Sequence, residues 1–128
     1  MSLARHSEWL DAYGSAWEAR DERAFSALFA ADAVYRWGPF SDPLRGRCAI
    51  EERVRAALAA QAGVRFGHEP LAITCDGRGL SRWWVSYHVP RTGEVEENEG
   101  VFLVTLDDSG RCTEFREWWN SRTSPGAT

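Results

Sequence analysis

The 128 residues hold no long apolar run, so no segment reads as a bilayer-spanning helix. The first stretch, MSLARHSEWLDAYG, lacks the apolar core of a signal peptide and carries charges throughout. The cytoplasm is therefore the expected location. An excess of basic charge is also missing: 15 basic residues face 19 acidic ones, net −4. That balance argues against nucleic acid or an anionic membrane as the main partner. Cysteine is sparse. Cys48, Cys75 and Cys112 stand singly, odd in number and without a CxxC, so neither a disulfide framework nor a zinc site is suggested. His6, His68 and His88 show no ligand spacing. No metal and no cofactor is expected. Repeats, linkers and low-complexity tracts are absent too, which leaves one domain over residues 1–122 and a polar tail over 123–128.

The abundant feature is aromatic: seven Trp, six Phe and three Tyr. Such bulky, stiff rings line cores or apolar pockets. The first half has helical periodicity. Leu10, Tyr13 and Trp17 share one face of a first helix, with Ser7, or a residue one turn earlier, as its N-cap. Asp21 can cap a short second helix presenting Phe25, Leu28 and Phe29. Ala31-Asp32 turns the chain into an extended piece, Val34 to Trp37, which Gly38-Pro39 stops. A loop then leads to a third helix with Ile50, Val54, Ala57 and Leu58 as its buried stripe and Glu51, Glu52, Arg53 and Arg55 on its wet side.

After Gly63 the period changes to 2. Strands are expected at Val64 to Thr74, Leu80 to Val89, Glu94 to Leu106 and Arg111 to Ser121, with short Gly-containing turns between them. That order predicts an α+β fold with N-terminal helices packed in the concavity of a strongly curved, mostly antiparallel sheet.

Two stretches sharpen this reading. In YGSAWEARDERAFSALFAADAVYRW a helix breaks at Arg20-Asp21 before F-x-x-L-F-A-x-D-A-V. In LRGRCAIEERV a glycine and an Ala-Ile pair open the third helix. With the closing strand GRCTEFREWWN, they resemble the cone-shaped α+β superfamily of nuclear transport factor 2, SnoaL-type polyketide cyclases and ketosteroid isomerases. The resemblance covers nearly the whole chain and implies a cavity for a small molecule. It does not choose among isomerases, cyclases, dehydratases, epoxide hydrolases and non-enzymatic carriers. Steroid isomerases carry a tyrosine eight residues before the Asp of the helix break, and Tyr13 matches. Their two catalytic aspartates fall on Trp37 and Phe102 here, so the isomerase chemistry does not transfer.

Strand alternation then sorts the side chains. In the family register Trp83, Val85 and Tyr87 face the cavity, as do Phe102, Val104, Phe115, Glu117 and Trp119. Trp17, Trp37 and Phe40 are expected to join them as ligand contacts. Glu117 is the odd residue in this set. A desolvated carboxylate there suits proton transfer near neutrality, with Tyr13 donating to a carbonyl or enolate oxygen. Alternatively, Glu117 pairs with Arg82 or Arg116, or sits in water at a sheet edge. His68 admits a base role or a structural one, and His88 should point away from the cavity. The run EVEENE, Glu94 to Glu99, reads as a cation site or as a solvated strand end. Arg45 and Arg47 admit an anion site or a structural loop role. Trp84, Leu103 and Trp118 have the outward parity, and this exposed apolar face predicts a homodimer. Two functions stand: a small-molecule enzyme with Tyr13 and Glu117 as its polar pair, and a non-catalytic ligand-binding domain.

Overall fold

The structure is a computed structural model and describes residues 1–126. Its first helix, α1 (Leu3–Glu18), begins a turn ahead of Ser7: the Ser2 hydroxyl caps it by accepting from the Arg5 amide at 3.1 Å. His6, Trp9, Leu10 and Tyr13 are buried along its inner face. Arg20, at φ 52°, breaks the helix, and the Asp21 carboxylate caps α2 (Glu22–Ser26) through the Ala24 amide at 3.0 Å. This second helix is shorter than its apolar spacing suggests. Leu28 and Phe29 leave it, and Phe29 already opens strand β1 (Phe29–Arg36), five residues before the expected start. The cause is non-local. β1 lies parallel to the last strand, pairing Phe29 with Cys112, and the Cys112 amide donates to the Leu28 carbonyl at 2.8 Å. Those sheet hydrogen bonds override the helical propensity of the Ala-rich stretch.

A two-residue strand, β2 (Leu44–Arg45), pairs with β1 at the sheet edge and was not anticipated. Helix α3 (Arg47–Ala59) follows Gly46, whose φ of 91° is open to glycine at little cost. Arg47 donates twice to the Phe29 carbonyl, at 2.9 and 2.8 Å, so its guanidinium ties the helix entry to β1. The remaining strands are β3 (Ala62–Ile73), β4 (Gly79–Val89), β5 (Glu94–Leu106) and β6 (Cys112–Ser124). They form an antiparallel meander, and the six-stranded sheet runs β2-β1-β6-β5-β4-β3. β6 continues past Ser121: Thr123 and Ser124, expected in the tail, pair with Glu96 and Val95. Of that tail, residues 127 and 128 lie outside the described residues.

The α+β fold expected from the order of elements is the one observed. α1 packs against β3 at close range, because Gly14 leaves room for the Phe66 ring: a Cβ there would stand 2.4 Å from Phe66 Cδ1. A second close approach joins β5 to β6, where a Cβ on Gly100 would fall 1.7 Å from the Trp118 carbonyl oxygen. Between α1 and the sheet lies an aromatic core in which Leu10, Phe29, Phe102, Val104 and Phe115 are sealed from solvent. No helix among the described residues is long and apolar enough to cross a membrane.

Candidate functional site

Alternation along the strands decides which side chains face α1. Trp83, Val85 and Tyr87 of β4 are buried, as are Phe102, Val104 and Phe115 of β5 and β6. Phe115 is held between two tyrosines, stacked on Tyr35 at 4.7 Å and on Tyr13 at 5.3 Å between ring centroids. Above this packed layer the helices no longer fill the sheet, and a cavity of about 270 Å³ opens.

Glu117 stands in the cavity wall, two residues beyond Phe115 on the same face of β6. The Tyr35 hydroxyl donates to its Oε2 at 3.1 Å, and the Tyr13 hydroxyl lies 3.2 Å from that of Tyr35. Removal from water pushes the Glu117 carboxyl up to about 8; the Tyr35 hydrogen bond and the Arg53 charge pull the other way. Burial, with Glu117 next in effect, raises both phenols well above their ordinary value, so they remain neutral. Arg53 lies over the Trp37 ring, 4.1 Å from its centroid. Trp119 Nε1 donates to the Trp37 carbonyl at 3.2 Å, so Trp37, Trp119 and Arg53 form one rim of the cavity.

A second polar group occupies the β4–β5 wall. The Tyr87 hydroxyl donates to Glu96 Oε2 at 2.8 Å, and Ser121 Oγ donates to Glu96 Oε1 at 3.1 Å. Burial first, then the Glu96 hydrogen bond, raises the Tyr87 phenol to about 12. Trp17 Nε1 donates to Gln61 Oε1 at 2.7 Å, and the Gln61 side chain also meets the Tyr87 hydroxyl.

Seven of the ten residues singled out from the sequence line the cavity: Tyr13, Trp17, Trp37, Trp83, Tyr87, Glu117 and Trp119. Phe102 and Phe115 do not; they are sealed in the packed layer beneath it. Phe40 is fully exposed and contributes nothing to the cavity. It lies beyond Gly38-Pro39, where the strand has ended and alternation no longer carries a direction. Glu117 pairs with neither Arg82 nor Arg116. Arg82 bonds Glu99 at 2.9 Å, and Arg116 lies over Trp118.

Sequence reasoning missed Tyr35, Arg53, Glu96 and Asn98 as cavity residues. The first was within reach of the parity rule, since Tyr35 precedes Trp37 by two in the extended piece expected from Val34 to Trp37. Counting back by twos from Phe102 likewise reaches Asn98 and Glu96. EVEENE thus splits into two faces, with Glu96 turned inward and Glu97 and Glu99 paired with Arg122 and Arg82. Arg53 sits on the helix face assigned to water, and only the Trp37 ring beneath it brings its charge to the cavity rim. His68 Nε2 meets Asp11 Oδ1 at 2.7 Å, away from the cavity, and His88 is exposed.

A layer of helices on a mixed six-stranded sheet is the layout of the nuclear transport factor 2-like cone. The SnoaL-like domain family matches residues 10–115, and the chain belongs to that family. No curated protein matches it. Among solved structures it is similar to RV0760c from Mycobacterium tuberculosis, at TM-score 0.83 and 16% identity over 97% of this chain and 99% of that one. The Delta 5-3-ketosteroid isomerase from Mycobacterium sp. is similar at TM-score 0.78 and 19% identity, covering 92% and 97% of the two chains. SalBIII, an epoxide hydrolase/cyclase-like enzyme with a role in pyran ring formation in the polyether salinomycin, gives 0.77 and 18% over 89% of each chain. Identities this low establish the fold and leave the chemistry to the site.

Proposed function

We propose that the protein is a cofactor-independent enzyme that moves a proton on a small, largely apolar, carbonyl-bearing molecule, in a reaction of isomerase, cyclase or dehydratase type. The supporting observation is the Glu117 carboxyl, raised to about 8 in the wall of an aromatic cavity and joined to two neutral tyrosines. At neutral pH such a group is mostly protonated, with a usable fraction ionised. It can therefore donate to a substrate oxygen, or accept a proton from the carbon beside a carbonyl. The Tyr35 hydroxyl, aimed at Oε2, steadies the carboxylate once the proton has left. Tyr13 acts one step back, since its hydroxyl meets Tyr35 rather than Glu117. Trp17, Trp37, Trp83, Tyr87 and Trp119 would hold the apolar body of the substrate.

Exchange of α-protons in heavy water provides the test. With 4-phenylbutan-2-one as probe, NMR should show deuterium entering beside the carbonyl, with a rate inflection near pH 8. Glu117→Gln should slow it by about 10²–10⁴. Equal rates for the two proteins would sink the proposal. Probe binding without exchange would instead support the second reading, a non-catalytic ligand-binding domain. That reading draws on the engagement of Tyr13 with Tyr35, which leaves its hydroxyl committed within the protein.

The same proposal includes a homodimer through the outer sheet face. Trp84 and Trp118 remain 38% and 37% exposed there, with Arg82 and Arg116 lying over their rings. A single species at monomer mass in light scattering, at micromolar concentration, would rule it out.

A further inference from the structure

Two polar atoms on the β4–β5 side of the cavity have no hydrogen-bond partner among the described residues. Trp83 Nε1 and Asn98 Oδ1 are both shut off from solvent and unbonded. Trp83 is only 2% exposed, yet both residues line the cavity. The register puts Asn98 opposite Val85 and Gly100 opposite Trp83, so the two are diagonal neighbours on one inward face. Their backbones are then about 7–8 Å apart, within reach of one group held between the side chains. Nearby side chains are already committed to each other. Gln61 Oε1 accepts from Trp17, Tyr87 donates to Glu96, and the second Glu96 oxygen accepts from Ser121, while the Asn98 and Gln61 amides meet the Tyr87 oxygen and leave Asn98 Oδ1 free. An unmade hydrogen bond at a buried atom is costly, and native structures rarely keep one without a reason.

The chemistry of the pair is specific. Trp83 Nε1 only donates, and Asn98 Oδ1 only accepts. A ligand carbonyl would satisfy the first alone, an ammonium group the second alone, and a carboxylate would be repelled by Glu96. A hydroxyl satisfies both. We propose that the ligand carries a hydroxyl at the end of the cavity away from Glu117, accepting from Trp83 Nε1 and donating to Asn98 Oδ1. Glu117 pairs with Phe102, four residues along β5 from Asn98. That is about 13 Å of strand at 3.3 Å per residue, shortened by side chains that reach inward. The two polar poles, with aromatic rings between them, define a ligand class: an apolar skeleton with an oxygen function at one end and a hydroxyl at the other. This deepens the cavity reading and rests on it only in requiring that the cavity take a ligand; turnover at Glu117 is not needed.

Paired probes separate the two claims. Fluorescence titration should show 4-(4-hydroxyphenyl)butan-2-one binding at least about tenfold tighter than 4-phenylbutan-2-one, a difference of about 1.4 kcal/mol. Trp83→Phe removes the N–H and keeps a ring, and Asn98→Leu removes the acceptor. Each should erase the preference. Glu117→Gln should retain it while losing α-proton exchange, so a failed catalytic reading leaves this result standing. Equal binding of the two probes, or no binding of the phenol, overturns the inference.

Discussion

Strands β5 and β6 each pass through two environments on one and the same face. At the level of Phe102 and Phe115 that face is sealed, with Tyr13 and Leu10 of α1 filling the space against it. It is hollow at Glu96 and Asn98 on β5 and from Glu117 onward on β6, so the boundary runs obliquely, with open Glu117 paired to sealed Phe102. Nothing in the strand geometry changes between the levels, since the alternation runs unbroken from Glu96 to Val104. What changes is the opposing layer. α1 brings the Tyr13 ring onto Phe102 and Phe115, whereas α3 brings only Val54 and Ala57 toward the cavity that Tyr13 and Trp17 also line. A curved sheet therefore makes a core where helix side chains meet it and a pocket where they fall short. Polar groups gather at the second level, because carboxyl and amide groups are tolerated where paired or wet and costly in the packed layer.

Substitutions should separate the levels. The largest effect belongs to the packed layer: Phe115→Ala removes a ring stacked between two tyrosines and should cost about 3–5 kcal/mol in urea unfolding. A Glu117→Ala change should not approach that loss at neutral pH, and if it did the contrast would collapse.

Next comes the pH dependence of stability. Glu117 has a folded pKa of about 8, above its ordinary value of 4.5, so between these values the folded state holds the proton more tightly than the unfolded chain. The favourable contribution is full below the unfolded value and is lost as pH rises through about 8. Melting temperature should accordingly fall across that window in the native protein. Glu117→Gln should flatten the fall, and an unchanged slope would contradict the assignment.

Smaller effects follow at the rim. Tyr35→Phe deletes the hydrogen bond to Glu117, with a stability cost of about 0.5–1.5 kcal/mol. It should also move the Glu117 titration upward in ¹³C NMR, because that bond favours the carboxylate. Arg53→Met should shift the titration in the same direction by less, since its charge is the weaker of the two stabilising causes. The smallest stability change is expected outside the cone. Trp118→Lys should leave the unfolding free energy of the monomer within about 0.5 kcal/mol. Its effect should appear instead in light scattering, as a loss of dimer.

The fold was readable because its signals are local and periodic. Leu10, Tyr13 and Trp17 recur at helical spacing, and four runs recur at period 2 between glycine turns. Errors fell where a partner distant in sequence decides the outcome. Phe29 looks helical by its neighbours and is a strand residue because Cys112 pairs with it. β2 exists only as an addition to the edge of β1. In the site, parity correctly turned Trp83, Tyr87, Glu117 and Trp119 inward. Parity carries no depth, and Phe102 and Phe115, expected in the cavity wall, are sealed in the layer beneath it. Arg53 escaped notice because a charge on a helix face carries no mark of the ring it will cover.

Chain chemistry alone was enough for the class of fold, the two faces of each strand, and the presence of a carboxyl among inward aromatics. These follow from backbone geometry, which repeats residue by residue and is printed in the order of side chains. Depth along the cone, the Tyr13–Tyr35–Glu117 chain, and the Trp83 Nε1 and Asn98 Oδ1 atoms left without partners among the described residues arose only on assembly. They depend on how far α1 and α3 extend over the sheet and on which hydrogen bonds remain open once distant strands have met. Burial and desolvation are properties of that assembled layer, and the Glu117 carboxyl acquires its raised pKa there and nowhere earlier.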